Sequence, residues 1–296
     1  MKNIPSKLLY FLVILPVSRL SFGAIYRLSD FLFFVFYRLV SYRLKVIKGN
    51  IDRSFPDKSE EERGRIVEQF YRHFCDLIVE SLKIFSIKEE EIRERMVFKN
   101  PELINRYFEE GRSVVLAGGH YNNWELFAVG VDQALKHQTV GIYKPLTNAY
   151  FDNLMRESRG KFGLKLLATT MVKKEFERSR EVPSVFIFAS DQSPGNKNNA
   201  YWMRFLNQET GVLFGSEKYA CEYNYPVVYG CIRKISRGHY ELEFELVHDQ
   251  PASAAYGLIT ETHTRLLERD IRRQPEYWLW SHRRWKHKRP EDLPLH

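Results

Sequence analysis

One short stretch of the chain groups residue types that can carry acid–base chemistry. Residues 118–125 read Gly-Gly-His-Tyr-Asn-Asn-Trp-Glu and directly follow the apolar run 114–116. The two glycines permit a sharp turn and the close approach of a ligand. Five positions separate His120 from Glu125, so one continuous helix would hold the two side chains about 140° apart and they would not meet.

A helix start between the two residues changes this geometry. If Asn122 or Asn123 caps a helix that begins near Trp124, His120 lies in the preceding loop and can approach Glu125 in the first turn. A carboxylate on one ring nitrogen fixes the imidazole tautomer, and the other nitrogen is free to take a proton from a hydroxyl. The alternative is a strand-end histidine that only hydrogen-bonds its loop. The double glycine, the strand-end position and the carboxylate favour a general base.

Cations and a further carboxylate follow other apolar runs. Lys144, Arg156 and Arg159 lie near predicted strand ends, as a phosphorylated sugar headgroup would require. A solvated helix face is the alternative for Lys144 and Arg156. Asp191 and Gln192 follow the run 185–188, where Asp191 could orient Arg159 or a substrate hydroxyl, although Asp-x-x-Pro-Gly is also an ordinary turn sequence.

The elements that position these residues form an α/β pattern. Apolar runs alternate with helical patterns, which predicts a mixed, largely parallel sheet flanked by helices. Ligand sites in such sheets gather at the carboxyl ends of the strands. The predicted strands cover residues 113–117, 139–143, 164–168, 184–188, 226–232 and 239–247.

The first 48 residues are apolar and basic, without an uninterrupted span of about twenty apolar residues. This pattern predicts a helical segment that anchors the protein in or on a bilayer, followed by an α/β domain over residues 49–296. Two buried core helices are the alternative. Residues 50–56 are predicted to form a turn, and Ser59 with Glu62 predicts the capped start of a long helix.

Composition limits the partners. The net charge of +8 favours an anionic partner: a nucleic acid, an anionic bilayer, a phosphorylated substrate or an acidic carrier protein. Tryptophans alternate with basic residues over 278–288, a pattern that fits base stacking or anchoring at a membrane interface. The apolar amino terminus favours the membrane, so no nucleic acid is expected. Three cysteines without a C-x-x-C pair suit a reducing compartment, and no metal or nucleotide cofactor is expected.

The motifs resemble those of a known family. Residues 118–125 match the G-G-H-x-x-N-W-E form of the H-x-x-x-x-D/E motif in the late acyltransferases of lipid A biosynthesis, the lauroyl and myristoyl transferases. Further matches follow in the same order along the chain, at 143–148, 156–163, 191–195 and 275–286.

The resemblance implies an enzyme at the cytoplasmic face of the inner membrane. Its acyl donor would be acyl carrier protein or acyl-CoA, and its acceptor a hydroxyl on an acyl chain of a glucosamine-based phospholipid. His120 and Glu125 inherit the catalytic roles and Arg159 that of the functional arginine. The other candidates for substrate, oxyanion or phosphate contacts are Asp191, Asn123, Lys144, Arg156 and Gln192.

The motif does not determine the acceptor. The same histidine chemistry serves lysophospholipids, aminolipids, glycolipids and lipid-linked pigments. A non-catalytic basic protein that binds membranes or nucleic acids is the remaining alternative.

Overall fold

A seven-stranded sheet forms the centre of the protein in the computed structural model, which describes residues 4–178 and 181–296. A separate two-stranded hairpin lies beside it. The strands are β1 (Met96–Phe98), β2 (Val114–Gly118), β3 (Gln138–Tyr143), β4 (Lys165–Ala168), β5 (Ser184–Ala189), β6 (Ala200–Phe205), β7 (Gln208–Leu213), β8 (Val227–Ser236) and β9 (His239–His248).

The order across the large sheet is β1-β9-β8-β2-β5-β3-β4. Strands β8, β2, β5, β3 and β4 run parallel, β9 pairs antiparallel with β8, and β1 pairs parallel with β9. The predicted mixed, largely parallel sheet flanked by helices is therefore confirmed. Because β2 and β5 are parallel neighbours, the residues that follow them emerge side by side at one edge of the sheet.

Helices cover both faces of this sheet. Val114 and Leu116 of β2 pack into one hydrophobic cluster, and the alternate residues Val115 and Ala117 pack into another on the opposite face. A central parallel strand is thus buried on both sides. The helices are α1 (Ile4–Leu9), α2 (Leu15–Ser18), α3 (Phe22–Phe33), α4 (Leu44–Ser54), α5 (Glu60–Lys83), α6 (Glu89–Arg95), α7 (Glu102–Glu109), α8 (Trp124–Ala134), α9 (Ala149–Gly160), α10 (Val172–Arg178), α11 (Gly215–Tyr223) and α12 (Leu258–Arg273).

The N-terminal segment, residues 4–40, consists of two helical arms. The first arm spans Ile4–Ser18, the second spans Phe22–Leu39, and the bend between them is 119°. No single helix in the described chain is long and apolar enough to cross a membrane, but the two arms together meet that requirement by length and composition. Many apolar side chains of the N-terminal segment are exposed: Ile4, Leu8, Leu9, Phe11, Leu12, Val13, Leu20, Phe31, Phe34, Leu39 and Val40.

The predicted turn over 50–56 is wrong for residues 50–54, because α4 continues to Ser54. The side-chain amide of Asn50 donates to the carbonyl oxygens of Trp280 and His282, at 2.9 and 3.0 Å. A tertiary contact therefore keeps a turn-favouring residue inside the helix. The division of the chain at residue 48 stays a prediction.

The capped start of α5 is confirmed. The Ser59 hydroxyl accepts from the backbone N–H of Glu62, and the Glu62 carboxylate accepts from the backbone N–H of Ser59. This reciprocal pair satisfies two donors that the first helical turn leaves free.

The hairpin of β6 and β7 was not predicted. Leu206 and Asn207 form its two-residue turn with φ of +49° and +64°. Two-residue hairpin turns of this kind usually contain glycine, and glycine is the sequence signal by which they are predicted. Neither turn residue is glycine here. Leu206 is fully buried, and its backbone N–H donates to Glu268 of α12 at 3.1 Å. Core packing of the leucine thus supports a turn that local propensity disfavours.

Candidate active site

His120 and Asp191 form the centre of the site. His120 follows β2 and Asp191 follows β5, and Nδ1 of the imidazole lies 2.7 Å from Oδ1 of the carboxylate. The backbone N–H of His120 donates to Oδ2 of the same carboxylate at 2.8 Å. Since an ionised carboxylate only accepts, Nδ1 carries the proton and Nε2 presents its lone pair. The imidazole therefore has the tautomer that a general base requires.

The Asp191 carboxylate is buried, with 3% of its side chain exposed. Trp278 adds a third donor, because its Nε1–H donates to Oδ2 at 2.9 Å. Burial alone would raise the pKa of Asp191, but the charge of His120 and these hydrogen bonds outweigh it and lower the pKa to about 2. Asp191 is therefore a carboxylate at any physiological pH.

Neighbouring charges also shift the pKa of His120. Burial would lower the pKa of its imidazole, but the Asp191 carboxylate and its hydrogen bond outweigh this and raise the pKa above 6.5. Glu125 raises it further, and Arg159 acts in the opposite direction. The imidazole keeps 20% of its side chain exposed, so it remains accessible from outside.

The free nitrogen of His120 faces Gln192. The side-chain amide nitrogen of Gln192 lies 3.2 Å from Nε2, which places it as a donor to the lone pair of the base. The ring of Trp124 packs edge-on against the imidazole, with 5.1 Å between ring centroids. A substrate hydroxyl that reaches Nε2 therefore has to displace the Gln192 amide.

Glu125 does not hydrogen-bond His120 among the described residues, which corrects the expectation that it holds the imidazole. Its carboxylate instead accepts from Arg159, with 2.8 Å from Nε and 2.5 Å from Nη2, and from the Trp124 indole at 3.2 Å. The reason is the topology of the sheet. Because β5 lies beside β2, Asp191 at the end of β5 lies next to Nδ1 of His120. Glu125, in the first turn of α8, instead points towards the last turn of α9. Asp191 forms no hydrogen bond with Arg159 in the described part of the chain, so the expectation that Asp191 orients Arg159 is wrong.

The Glu125–Arg159 ion pair is itself largely shielded. The exposed fractions of the two side chains are 8% for Glu125 and 22% for Arg159. A two-point contact between a guanidinium and a carboxylate fixes the position and the plane of both groups. Arg159 is therefore a fixed cation beside His120.

The other predicted cations lie outside this arrangement. Lys144 is exposed in the loop after β3, and Arg156 is exposed on α9, one turn before Arg159. Neither forms an ion pair or a side-chain hydrogen bond within residues 4–178 and 181–296. Their predicted contact with an anionic group stays a prediction.

Asn123 serves as the N-cap of α8. Its side-chain oxygen accepts from the backbone N–H of Leu126 at 2.8 Å, and its amide donates to Glu80 at 2.5 Å. The residue is fully buried. It therefore supports the loop between β2 and α8, and its predicted contact with a substrate stays a prediction.

Tryptophans of the C-terminal stretch pack inside the protein, contrary to the expectation of stacking on bases or lying at an interface. Trp278 is 3% and Trp280 0% exposed, and half-buried Trp285 donates from Nε1 to Thr210. Sequence spacing could not show this, because alternating aromatic and basic residues suit a buried scaffold as well as a binding surface. The Trp278 contact with Asp191 makes this stretch part of the site.

Two other contributors were not found from the sequence. His282 accepts from the backbone N–H of Ser193 at 3.1 Å and so fixes the loop that carries Gln192. Arg284 is 4% exposed and lines a small cavity with Asp191, and its Nε has no hydrogen-bond partner among the described residues. Burial lowers the pKa of Arg284 to about 10, while Asp191 acts to raise it.

A resident metal has no obvious place in the described part of the chain. Within residues 4–178 and 181–296, no group of three or more His, Cys, Asp or Glu side chains is arranged to hold a metal ion.

A histidine held by a buried carboxylate, with a fixed arginine beside it, at the carboxyl edge of a parallel sheet, is an arrangement that suits general-base catalysis. The model of the bacterial lipid A biosynthesis acyltransferase family matches residues 3–287. The chain belongs to this family, and it is an O-acyltransferase.

Curated relatives agree with this assignment. The chain is 23% identical over 280 residues to the lipid A biosynthesis lauroyltransferase of Escherichia coli, covering 94% of this chain and 90% of the relative. It is 22% identical over 250 residues to the palmitoleoyltransferase of the same organism, covering 82% and 79%. A lipid A biosynthesis acyltransferase of Haemophilus influenzae is 22% identical over 260 residues, covering 85% and 80%.

Proposed function

We propose that this protein transfers a fatty acyl chain from a thioester to a hydroxyl of a lipid A precursor, with His120 as general base. The hydrogen bond between His120 Nδ1 and Asp191 is the observation that carries the proposal, since it leaves Nε2 free to accept a proton. Family membership supports the acyl chemistry and the class of acceptor. The donor we propose is acyl carrier protein or acyl-CoA.

The transfer proceeds in two stages. Nε2 of His120 removes the proton of the acceptor hydroxyl, and the oxygen attacks the thioester carbonyl carbon to form a C–O bond. The carbonyl π electrons move to the oxygen. When the carbonyl re-forms, the C–S bond breaks and the leaving thiolate takes the proton from the imidazolium. No covalent acyl–enzyme intermediate is needed, because the acceptor supplies the nucleophile.

Three charged groups serve this sequence. Asp191 stabilises the imidazolium that forms during the first stage. Arg159 is the cation that we assign to the developing oxyanion, and Glu125 holds its guanidinium in place. Gln192 donates to Nε2 in the resting site and gives up this position when the hydroxyl binds.

The N-terminal segment is the part that we propose to lie in the cytoplasmic face of the inner membrane. Its exposed apolar side chains would otherwise cost free energy in water, and Phe11 and Leu12 are 56% and 70% exposed. Arg19, Arg27 and Arg38 lie in the same segment and suit the headgroup layer. This placement brings the lipid hydroxyl to the enzyme without its leaving the bilayer.

Lipid mass spectrometry of a strain that lacks this protein tests the proposal. We expect lipid A one acyl chain short, restored by the wild type and by His239→Ala but not by His120→Ala. His239 is a partly exposed histidine at the start of β9 and serves as the matched control. Unchanged lipid A in the deletion strain contradicts the proposed acceptor, and restoration by His120→Ala contradicts the proposed mechanism.

Vesicle sedimentation tests the membrane contact separately. Replacing Phe11 and Leu12 with serine should release the protein from vesicles that contain anionic lipid. The control replaces Leu213 and Leu258, which are exposed outside the N-terminal segment, and should leave binding unchanged. Equal binding by both variants would contradict the placement of the segment.

A further inference from the structure

Helix α5 carries a buried polar stripe, which we define as His73, Asp76 and Glu80. These residues are spaced three and four apart, so they lie on one face of the helix. Their exposed fractions are 3%, 5% and 1%. Buried carboxylates are costly unless polar partners compensate them, so the contacts of this stripe call for an explanation beyond simple packing.

Glu80 accepts hydrogen bonds from three separate parts of the chain. The Tyr26 hydroxyl of α3 donates to Oε1 at 2.9 Å. The Tyr240 hydroxyl of β9 donates to Oε2 at 2.8 Å, and the side-chain amide of Asn123 donates to Oε2 at 2.5 Å. A carboxyl group suits three converging donors, because its two oxygens together offer several accepting positions.

Asn123 is the link from Glu80 to the catalytic centre. It lies between His120 and Glu125 in the chain, and its side-chain oxygen caps the helix whose first turn holds Glu125. Glu80 fixes the opposite end of the same amide group. Rotation of that amide would present a donor to the backbone N–H of Leu126 and lose the cap. Glu80 thus holds Asn123 in the only orientation that caps α8.

The same stripe ties down the N-terminal segment. Asp76, one turn before Glu80, accepts from the Ser29 hydroxyl at 2.8 Å and from Arg237 at 2.7 Å. Arg237 also pairs with Asp30 at 2.7 Å. Together with the Tyr26 contact, these bonds dock α3 on the helix that supports the catalytic loop.

We propose that Glu80 is a positioning residue for acyl transfer: through Asn123 it fixes the start of α8, and through Tyr26 it couples the N-terminal segment to the catalytic loop. This inference rests on the proposed function of His120. An apolar side chain of similar size would fill the space at lower desolvation cost, so packing alone does not account for a carboxylate here.

Steady-state kinetics of Glu80 variants test the inference. Glu80→Ala should lower kcat about tenfold or more, since small displacements of catalytic groups are costly. KM for the acyl thioester should stay within about twofold, because Glu80 does not touch substrate. In Glu80→Gln the remaining oxygen can accept from Asn123 and Tyr240, and the amide nitrogen then faces the Tyr26 hydroxyl, which can rotate to accept. We expect this conservative variant to recover to within about threefold of wild-type kcat.

The N-cap that Asn123 forms on α8 allows a second test. If Glu80 acts through Asn123, the double variant Glu80→Ala/Asn123→Ala should lose no more kcat than Asn123→Ala alone. The control is Glu68→Gln, a change on the solvent side of the same helix, where the carboxylate pairs with Arg72. Its kcat should equal that of the wild type.

Near-normal kcat in folded Glu80→Ala would overturn the inference. A double variant whose kcat falls by the product of the two single-variant losses would overturn it as well. If Glu80→Ala does not fold, Tyr26→Phe replaces it: the inference expects kcat to fall severalfold, and unchanged kcat overturns it. His120→Ala is assayed alongside. An inactive His120→Ala with a normal Glu80→Ala removes only this inference, whereas an active His120→Ala removes the proposed function.

Discussion

Nδ1 of His120 lies 2.7 Å from the carboxylate of Asp191, although 71 residues separate the two in the chain. The contact exists because β2 and β5 are parallel neighbours and end at the same edge of the sheet. The nearer carboxylate in sequence, Glu125, holds Arg159 instead. The two carboxylates thus hold two different partners: Asp191 holds the imidazole of His120, and Glu125 holds the guanidinium of Arg159.

Asp191→Asn should disable the base. Oδ2 of Asp191 accepts from two N–H groups, so an amide nitrogen cannot replace it there. The amide would instead turn its nitrogen towards Nδ1 and force the proton onto Nε2. We expect kcat to fall about a hundredfold or more. A rate profile over pH measures this change together with the pKa of the base.

The pH profile distinguishes Asp191 from Glu125. The base must be neutral, so activity rises with pH through the pKa of His120, which Asp191 raises. The acid limb of the residual activity in Asp191→Asn should therefore move to lower pH. In Glu125→Gln the limb should move in the same direction by a smaller amount, because that charge acts without a hydrogen bond. A larger shift in Glu125→Gln would assign the imidazole to Glu125.

Gly119→Ala should disturb Asp191 directly. A Cβ at this position would lie 2.8 Å from Leu267 Cδ2 and 3.1 Å from Asp191 Cγ. Leu267 can rotate, but three hydrogen bonds hold the carboxylate. Displacing it should lower kcat about tenfold or more. In Gly118→Ala the new Cβ would meet only the Gly230 carbonyl oxygen at 3.8 Å, so comparable losses in both variants would contradict this explanation.

The sequence predicted the main sheet well for a physical reason. Central parallel strands such as β2 and β5 are buried on both faces. In the sequence they therefore appear as continuous runs of apolar residues, and polar loop residues separate one run from the next. The residues that follow these runs include His120 and Asp191, and the sequence predicts both as site residues. Which strands become neighbours is a long-range property that local sequence does not show. For this reason the sequence predicts Glu125 beside the imidazole of His120, whereas the fold places Asp191 there.

Other parts of the site left no local signal. In sequence, Glu80 resembles the solvent-facing Glu68 of the same amphipathic helix, and only the fold brings Tyr26, Tyr240 and Asn123 around it. Trp278 stands in a basic, aromatic stretch whose composition suits a surface. Buried polar contacts of this kind depend on several distant segments meeting, which local pattern does not encode.

Trp278→Phe should reduce activity more than Trp280→Phe. Both indoles are buried, so both changes remove similar volume and should cost about 1–3 kcal/mol of stability. Only Trp278 donates to Asp191, whereas the Trp280 indole donates to the carbonyl oxygen of Pro275. The kcat of both variants, measured where thermal melts show them folded, tests the difference. Equal losses of kcat would mean that the Trp278–Asp191 hydrogen bond does not affect the base.

Glu80 should make the stability of the protein depend on pH. Burial, and then the charge of Asp76, raise the pKa of Glu80 from 4.5 to about 7. The folded state thus binds this proton more tightly than the unfolded state, so its contribution to stability is present below about pH 4.5 and is lost as pH rises to about 7.

The loss amounts to on the order of 3 kcal/mol, and Glu80→Gln should not show it, because its amide does not titrate. Denaturant unfolding of both proteins at pH 5 and pH 8 measures the difference, and the comparison cancels every other group that titrates in the same range. The free energy of unfolding of the wild type should fall relative to that of Glu80→Gln between the two pH values. Parallel changes in the two proteins would show that Glu80 ionises in the folded protein as readily as in the unfolded chain.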